Sequence, residues 1–139
     1  MMNNVIAISQ PSNFDNFLPS VSEENHHFYD QDIKDISIVL FQLGMRASLR
    51  GYRYLQAGIK MAIHDQEAVD LITKNMYPEV AKMYNTTWSR VERAMRHAIE
   101  TMDWESSYVS EVFKCDEYMD HMSNKEFISR VAEYIRIQR

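Results

Sequence analysis

The sequence predicts an all-α fold: a bundle of six to seven helices containing a helix-turn-helix, of the winged-helix-like effector type but without a clear wing. Three observations predict it. Hydrophobic residues make up 45% of the 139-residue chain, whereas Gly and Pro number only three each, so a core can be built but many short strands lack their turns. From Asp32 onward apolar residues recur at helical spacing. A short segment opened by Pro78 then leads through the tight turn Tyr84-Asn85-Thr86 into a long amphipathic segment, the order of a helix-turn-helix.

Residues 1–31 are rich in Asn, Ser and acids, contain Pro11 and Pro19, and show no sustained periodicity; a flexible acidic arm is expected, with the apolar patch Phe14, Phe17 and Leu18 inside it. Residues 32–139 form the predicted helical domain. Its first helix carries Ile33, Ile36, Leu40 and Leu43 and stops at Gly44. The second is expected over about residues 48–63, with Leu49, Tyr52, Leu55, Ile59 and Ile63 on one side. Asp65 caps a third through about Asn75, with Val69 and Ile72 inward. Pro78 suits the first turn of a short fourth helix ending near Tyr84, and Asn85 suits a left-handed turn position. The fifth starts at Thr86 or Thr87 and runs to about Met102; a further helix with a following loop is read into Trp104 to Asp120. Ser123 and Glu126 form a capping box for the last helix, whose buried stripe is Phe127, Val131, Ile135 and Tyr134.

The net charge of −5 argues against a DNA-binding protein if it is read globally, but the charge is uneven. Residues 1–43 carry one Lys and six acids, residues 44–100 nine Lys/Arg and six acids, and residues 101–139 five and eight. DNA responds to local potential, so a basic middle is compatible with binding. Cys115 is the lone cysteine, so no intramolecular disulfide forms, which fits a cytoplasmic location. The start, Met-Met-Asn-Asn-Val-Ile, lacks a signal-peptide pattern, and no apolar run reaches the length of a membrane span.

On a helical wheel the fifth helix places Trp88, Val91, Met95, Ala98, Ile99 and Met102 within about a third of the circle. Ser89, Arg90, Glu92, Arg93, Arg96 and His97 occupy most of the rest. In a helix-turn-helix the second helix enters the major groove and reads bases with its N-terminal residues. Arg bridges guanine O6 and N7, and Glu accepts from cytosine N4. Arg90 and Glu92 stand early enough to be the candidate base readers; Arg93, Arg96 and His97, with Ser89 and Thr87, are candidates for the phosphate backbone. Arg50, Arg53 and Lys60 are further phosphate candidates on the second helix, where a solvated face is the equal alternative. On pattern alone the fifth helix also admits the plainer reading of a solvated basic face on a bundle helix.

The run Tyr77-Pro78-Glu79-Val80-Ala81-Lys82-Met83-Tyr84-Asn85-Thr86-Thr87-Trp88-Ser89-Arg90-Val91-Glu92-Arg93-Ala94-Met95-Arg96-His97-Ala98-Ile99-Glu100 resembles the DNA-binding segment of the sporulation response-regulator family, that of stage zero sporulation protein A. The resemblance extends upstream through Leu43-Gly44-Met45, Gly51-Tyr52-Arg53-Tyr54-Leu55 and Ile72-Thr73-Lys74, and resumes at Ser123-Asn124-Lys125-Glu126-Phe127-Ile128, covering about residues 33–139. It implies a six-helix C-terminal effector domain that binds short promoter boxes in double-stranded DNA, often as tandem copies. It also implies base reading at Arg90 and Glu92, with Arg93, Arg96 and His97 against the backbone or nearby. Three departures stand out. Only about 31 irregular residues precede the domain, too few for the family's phosphorylated receiver, so phosphorylation-independent binding is expected. Trp88 occupies a position where the family leads one to expect a small residue. Asp103 to Asp120 is strongly acidic where the family presents surface to RNA polymerase.

The remaining signals are weaker. His26-His27 with Asp30 and Asp32 matches no standard zinc spacing, so neither a metal nor another cofactor is expected. His64 beside Asp65 reads as helix-end chemistry, and Cys115 as a half-buried core residue. No nucleotide loop, hydrolase triad or pair of catalytic carboxylates is recognisable, so the chain is not read as an enzyme. Two function classes follow: a sequence-specific transcriptional regulator, dimeric on tandem sites, or a protein-interaction module that modulates a homologous full-length regulator or RNA polymerase.

Overall fold

A computed structural model describes residues 30–115 and 117–139. The expected arm, its apolar patch and the His26-His27 pair lie outside the described residues, apart from the last two positions of the arm. The packed unit is Asp32–Arg139. Among the described residues there are seven α-helices and no strand: α1 (Gln31–Gln42), α2 (Arg50–His64), α3 (Glu67–Asp70), α4 (Tyr77–Met83), α5 (Trp88–Glu100), α6 (Ser107–Phe113) and α7 (Asn124–Gln138), with a π-helical turn over Ile72–Met76.

Helix α2 is the centre of the packing, lying against both α5 and α7, while α4 packs on α5 and α6 on α7. Its buried side includes the predicted Tyr52, Leu55, Ile59 and Ile63. Leu55 and Ile59 meet Met76, Met95 and Ile128 in one continuous core that also takes in Leu40, Phe113 and Phe127. The closest approach occurs at Gly51. A Cβ there would sit 2.0 Å from the carbonyl oxygen of Ala94 and 2.6 Å from its carbon, so the first turn of α2 rests on the backbone of α5.

Helix α1 stops as its sequence predicts. Gly44 takes φ +79, with Met45 N–H donating to Leu40 C=O (3.0 Å) and Gly44 N–H to Phe41 C=O (3.0 Å). That paired closure needs a left-handed residue two positions past the last helical residue. A side chain is doubly excluded, because its Cβ would lie 2.7 Å from Asp103 Cβ.

Three boundaries depart from expectation. The third helix is a single α-turn: Asp65 Oδ1 accepts from Glu67 N–H (3.0 Å), but Leu71 leaves helical geometry and the chain continues as a π turn. Helix α4 therefore starts at Tyr77, with Pro78 in its first turn rather than opening it. Val69, Ile72, Met76, Tyr77 and Val80 would all face inward on an unbroken α-helix too, so the apolar pattern cannot signal the π turn. The helix read into Trp104 to Asp120 is only seven residues long. Ser106 caps it by accepting from Tyr108 N–H (3.2 Å), and Lys114 ends it in the left-handed region at φ 52. At the last helix, Ser123 accepts from Glu126 N–H (3.1 Å) as predicted, while the Glu126 carboxylate pairs with Arg130. Its stripe is buried at Phe127, Val131 and Ile135; Tyr134 is half-buried, and its hydroxyl donates to Glu111 (2.6 Å). Cys115 is half-buried against the core.

Polar contacts tie the chain ends of the domain together. Asp32 Oδ2 lies 2.6 Å from His64 Nε2, and Arg139 donates to Asp32 Oδ1 (2.7 Å) and to Asp35 (2.9 Å). His64 thus acts through a carboxylate of α1 in addition to its place at a helix end. Arg136 donates to the last-turn carbonyls of α2, Ala62 (2.7 Å) and Ile63 (3.3 Å). Burial raises the pKa of Asp32, but the bonds and charges of His64 and Arg139 outweigh it and hold the group below 3.8.

Gly51→Ala is expected to destabilise the domain by about 3 kcal/mol or more, because backbone rather than a flexible side chain must give way. Gly58→Ala, whose Cβ would meet Met76 Sδ at 3.1 Å, should stay within about 1 kcal/mol of wild type, as gained helix propensity offsets mild crowding. Denaturant unfolding of the two variants compares them directly; equal losses would show that the backbone contact is not limiting.

Asp32→Asn is expected to cost about 1 kcal/mol at neutral pH. The folded carboxylate ionises at lower pH than the unfolded one. Its contribution is therefore complete above about 3.8 and is lost as pH falls through the lowered folded value. Melting curves of both proteins should converge only in that acidic window; convergence near neutrality would refute the assignment.

Candidate nucleic-acid interface

The turn between α4 and α5 is built by one asparagine and two threonines. Asn85 adopts φ 53. Thr86 N–H donates back to Ala81 C=O (2.9 Å) and Asn85 N–H to Lys82 C=O (3.4 Å), the same closure that Gly44 gives α1. Thr87 is extended and caps α5, its Oγ1 accepting from Arg90 N–H (3.3 Å) with Ser89 Oγ 3.3 Å away. The turn thus fixes both the end of one helix and the start of the next within four residues.

Helix α5 is anchored by one face. Val91, Met95, Ala98, Ile99 and, just past its end, Met102 are buried as the wheel predicts. Trp88 departs from that stripe: it is 51% exposed and stacks on Tyr77, with ring centroids 6.5 Å apart and planes 10° from parallel. As the first residue of the helix, it overhangs the core instead of entering it.

The opposite face carries the predicted site. Thr87, Ser89, Arg90, Arg93, Arg96 and His97 are all exposed. Glu92 is half-buried and grips Arg96, which donates from Nε to Oε2 (3.1 Å) and from Nη2 to Oε1 (3.3 Å). That two-point bond from Glu92 raises the already high pKa of Arg96. Two of about four carboxylate lone-pair sites are used by the fork, leaving Glu92 able to accept again. Arg50 and Arg53, both exposed, stand in the first turn of α2 on either side of the Gly51 contact, so that turn abuts the middle of α5. Lys60 lies ten residues beyond Arg50, about 15 Å along α2, and does not join this group.

Two positioning residues carry no sequence signal of their role. Asn124, at the start of α7, is only 6% exposed. Its Nδ2 donates to Tyr77 Oη (3.0 Å) and to the backbone carbonyl of Glu92 (3.1 Å), clamping α4, α5 and α7 at one point. Burial raises the pKa of the Tyr77 hydroxyl, keeping it neutral. An Asn after a capping Ser ordinarily reads as first-turn polarity, and only its burial reveals the clamp. Among the described residues no three His, Cys, Asp or Glu side chains gather into a metal-binding group.

Asn124→Ala should destabilise by about 1–3 kcal/mol, since it strands buried partners on two other helices. Ser123→Ala removes a cap of about 1 kcal/mol next door. Thermal unfolding of both variants tests the clamp; a loss no larger at Asn124 than at Ser123 would count against it.

The chain matches the family described as "Sporulation initiation factor Spo0A C terminal" over residues 36–135, from the middle of α1 to the last turn of α7. That is a family of DNA-binding transcription factor domains that act in sporulation initiation, and not one of enzymes. No described helix is long and apolar enough to cross a membrane. With the helix-turn-helix, its arginine-bearing second helix and the family match over most of its length, the chain belongs to the Spo0A C-terminal effector-domain family.

Proposed function

We propose that this protein is a sequence-specific transcriptional regulator that binds double-stranded DNA in the cytoplasm without phosphoryl activation. The observation that carries the proposal is α5 itself: docked by its apolar stripe, it presents Arg90, Arg93, Arg96 and His97 exposed on the other side. Arg90 and Glu92 read base edges. Arg96 holds Glu92 in one orientation through the two-point bond, so the glutamate is presented as a fixed acceptor rather than a mobile charge. Arg93, His97, Ser89 and Thr87 face phosphates, joined from α2 by Arg50 and Arg53. The recognition residues are already exposed in the domain, which supports binding with no unmasking step. On tandem boxes two copies bind side by side, and RNA polymerase or a homologous regulator is the further partner.

Arg90→Ala should lose about 1–3 kcal/mol on the cognate duplex and flatten preference at one G·C pair. Arg93→Ala should weaken cognate and scrambled duplexes alike and make the log–log salt slope shallower by about one. A phosphodonor should leave both affinities unchanged. Gel shifts across a salt series measure all three. An absence of salt-dependent duplex binding would instead favour the same surface as a protein-interaction module for a full-length relative or polymerase.

A further inference from the structure

Trp88 is unexplained by core packing and is not among the charged residues of the interface. It begins the recognition helix, is 51% exposed, and lies parallel to the buried Tyr77. A single exposed apolar side chain is ordinary on a protein surface. Its position makes this one informative. In a helix-turn-helix, the N-terminus of the second helix enters the groove while the first helix crosses the DNA backbone. The indole folds from the first residue of α5 onto the first residue of α4, so it spans the line between those two docking points. It is also held there: Tyr77 receives a hydrogen bond from the buried Asn124, which bonds the Glu92 carbonyl as well. The ring lies offset beside Tyr77, and about half of the Trp88 surface stays open to solvent.

From this geometry we propose that Trp88 contacts the DNA backbone, its indole N–H donating to one phosphate and its exposed surface covering the adjoining deoxyribose. This rests on the DNA-binding reading above. Indole is a donor only, so a phosphate oxygen is a chemically matched partner. Because Trp88 is neutral, its contact releases no counterion and adds affinity without adding salt dependence. The stack fixes the ring beforehand, so little side-chain freedom is lost on binding.

The chain contains two tryptophans, and Trp104→Phe leaves Trp88 as the sole one. The probes are a duplex selected by the intact protein from a random pool and a scrambled duplex of equal length. Saturating duplex should lower acrylamide quenching of Trp88 emission, because bound DNA shields the exposed part of the indole. Trp88→Phe, which keeps a ring on Tyr77 but removes the N–H, should weaken both duplexes about three- to tenfold. Its salt slope should match wild type, unlike that of Arg93→Ala. Unchanged quenching in the bound state, or wild-type affinity in Trp88→Phe, overturns the proposal while the DNA-binding reading stands. Failure of the wild-type chain to bind any duplex overturns both.

Discussion

The placement of α5 depends on the missing side chain at residue 51. A helix that is to present one whole face outward must be held by the other face alone, so its supports have to come close. Gly51 lets α2 approach until its first turn touches the Ala94 carbonyl, a distance at which any β-carbon would collide. Val91, Met95 and Ala98 then bury completely, and the arginines are left on the surface by geometry rather than by repulsion from the core. Asn124 completes the support from α7 by bonding the carbonyl of Glu92, so the helix is pinned within one turn by two neighbours. Rigid elements place side chains more accurately than loops do.

The electrostatics follow from that arrangement. A chain with a net charge of −5 cannot rely on its overall field to attract a polyanion, so attraction has to be local. The outer face of α5 supplies it, yet the face is not uniformly basic, because Glu92 neutralises Arg96. An exposed i,i+4 pair contributes only about 0.3–0.5 kcal/mol to helix stability, too little for stability to be its main use. Its two-point geometry does more by fixing orientation, since a forked guanidinium restrains a carboxylate that would otherwise sample several rotamers.

Much of this was legible in the sequence, for identifiable reasons. Asn85 announced a left-handed turn position, and Gly44 a helix stop, because few other residues take that conformation without strain. Ser123 and the pair Thr86-Thr87 announced helix starts because their hydroxyls fit free N–H groups, although only the structure singles out Thr87 as the cap. The stripe of α5 was legible because thirteen residues sample the helical period several times over. What was hidden is what periodicity cannot encode. The π turn at Ile72–Met76 preserves the apolar pattern of an α-helix. The short α6 ends at Lys114 in a conformation that lysine does not advertise. Asn124, Arg136 and Arg139 act on residues 32 to 107 positions away in the chain, and no local window contains both partners.

Trp88 shows where the two kinds of reading meet. On the wheel it belongs with the core, because the angle alone decides its side. In three dimensions the core has ended by the first residue of α5, so the same angle points over the edge onto Tyr77. A helix terminus is where angular periodicity loses its meaning, since no preceding turn remains to bury against. It is also the part of a recognition helix that comes nearest to DNA. A large side chain placed there is withdrawn from the work of folding and made available for contact, and the stack on a tyrosine that is itself clamped keeps it from collapsing back.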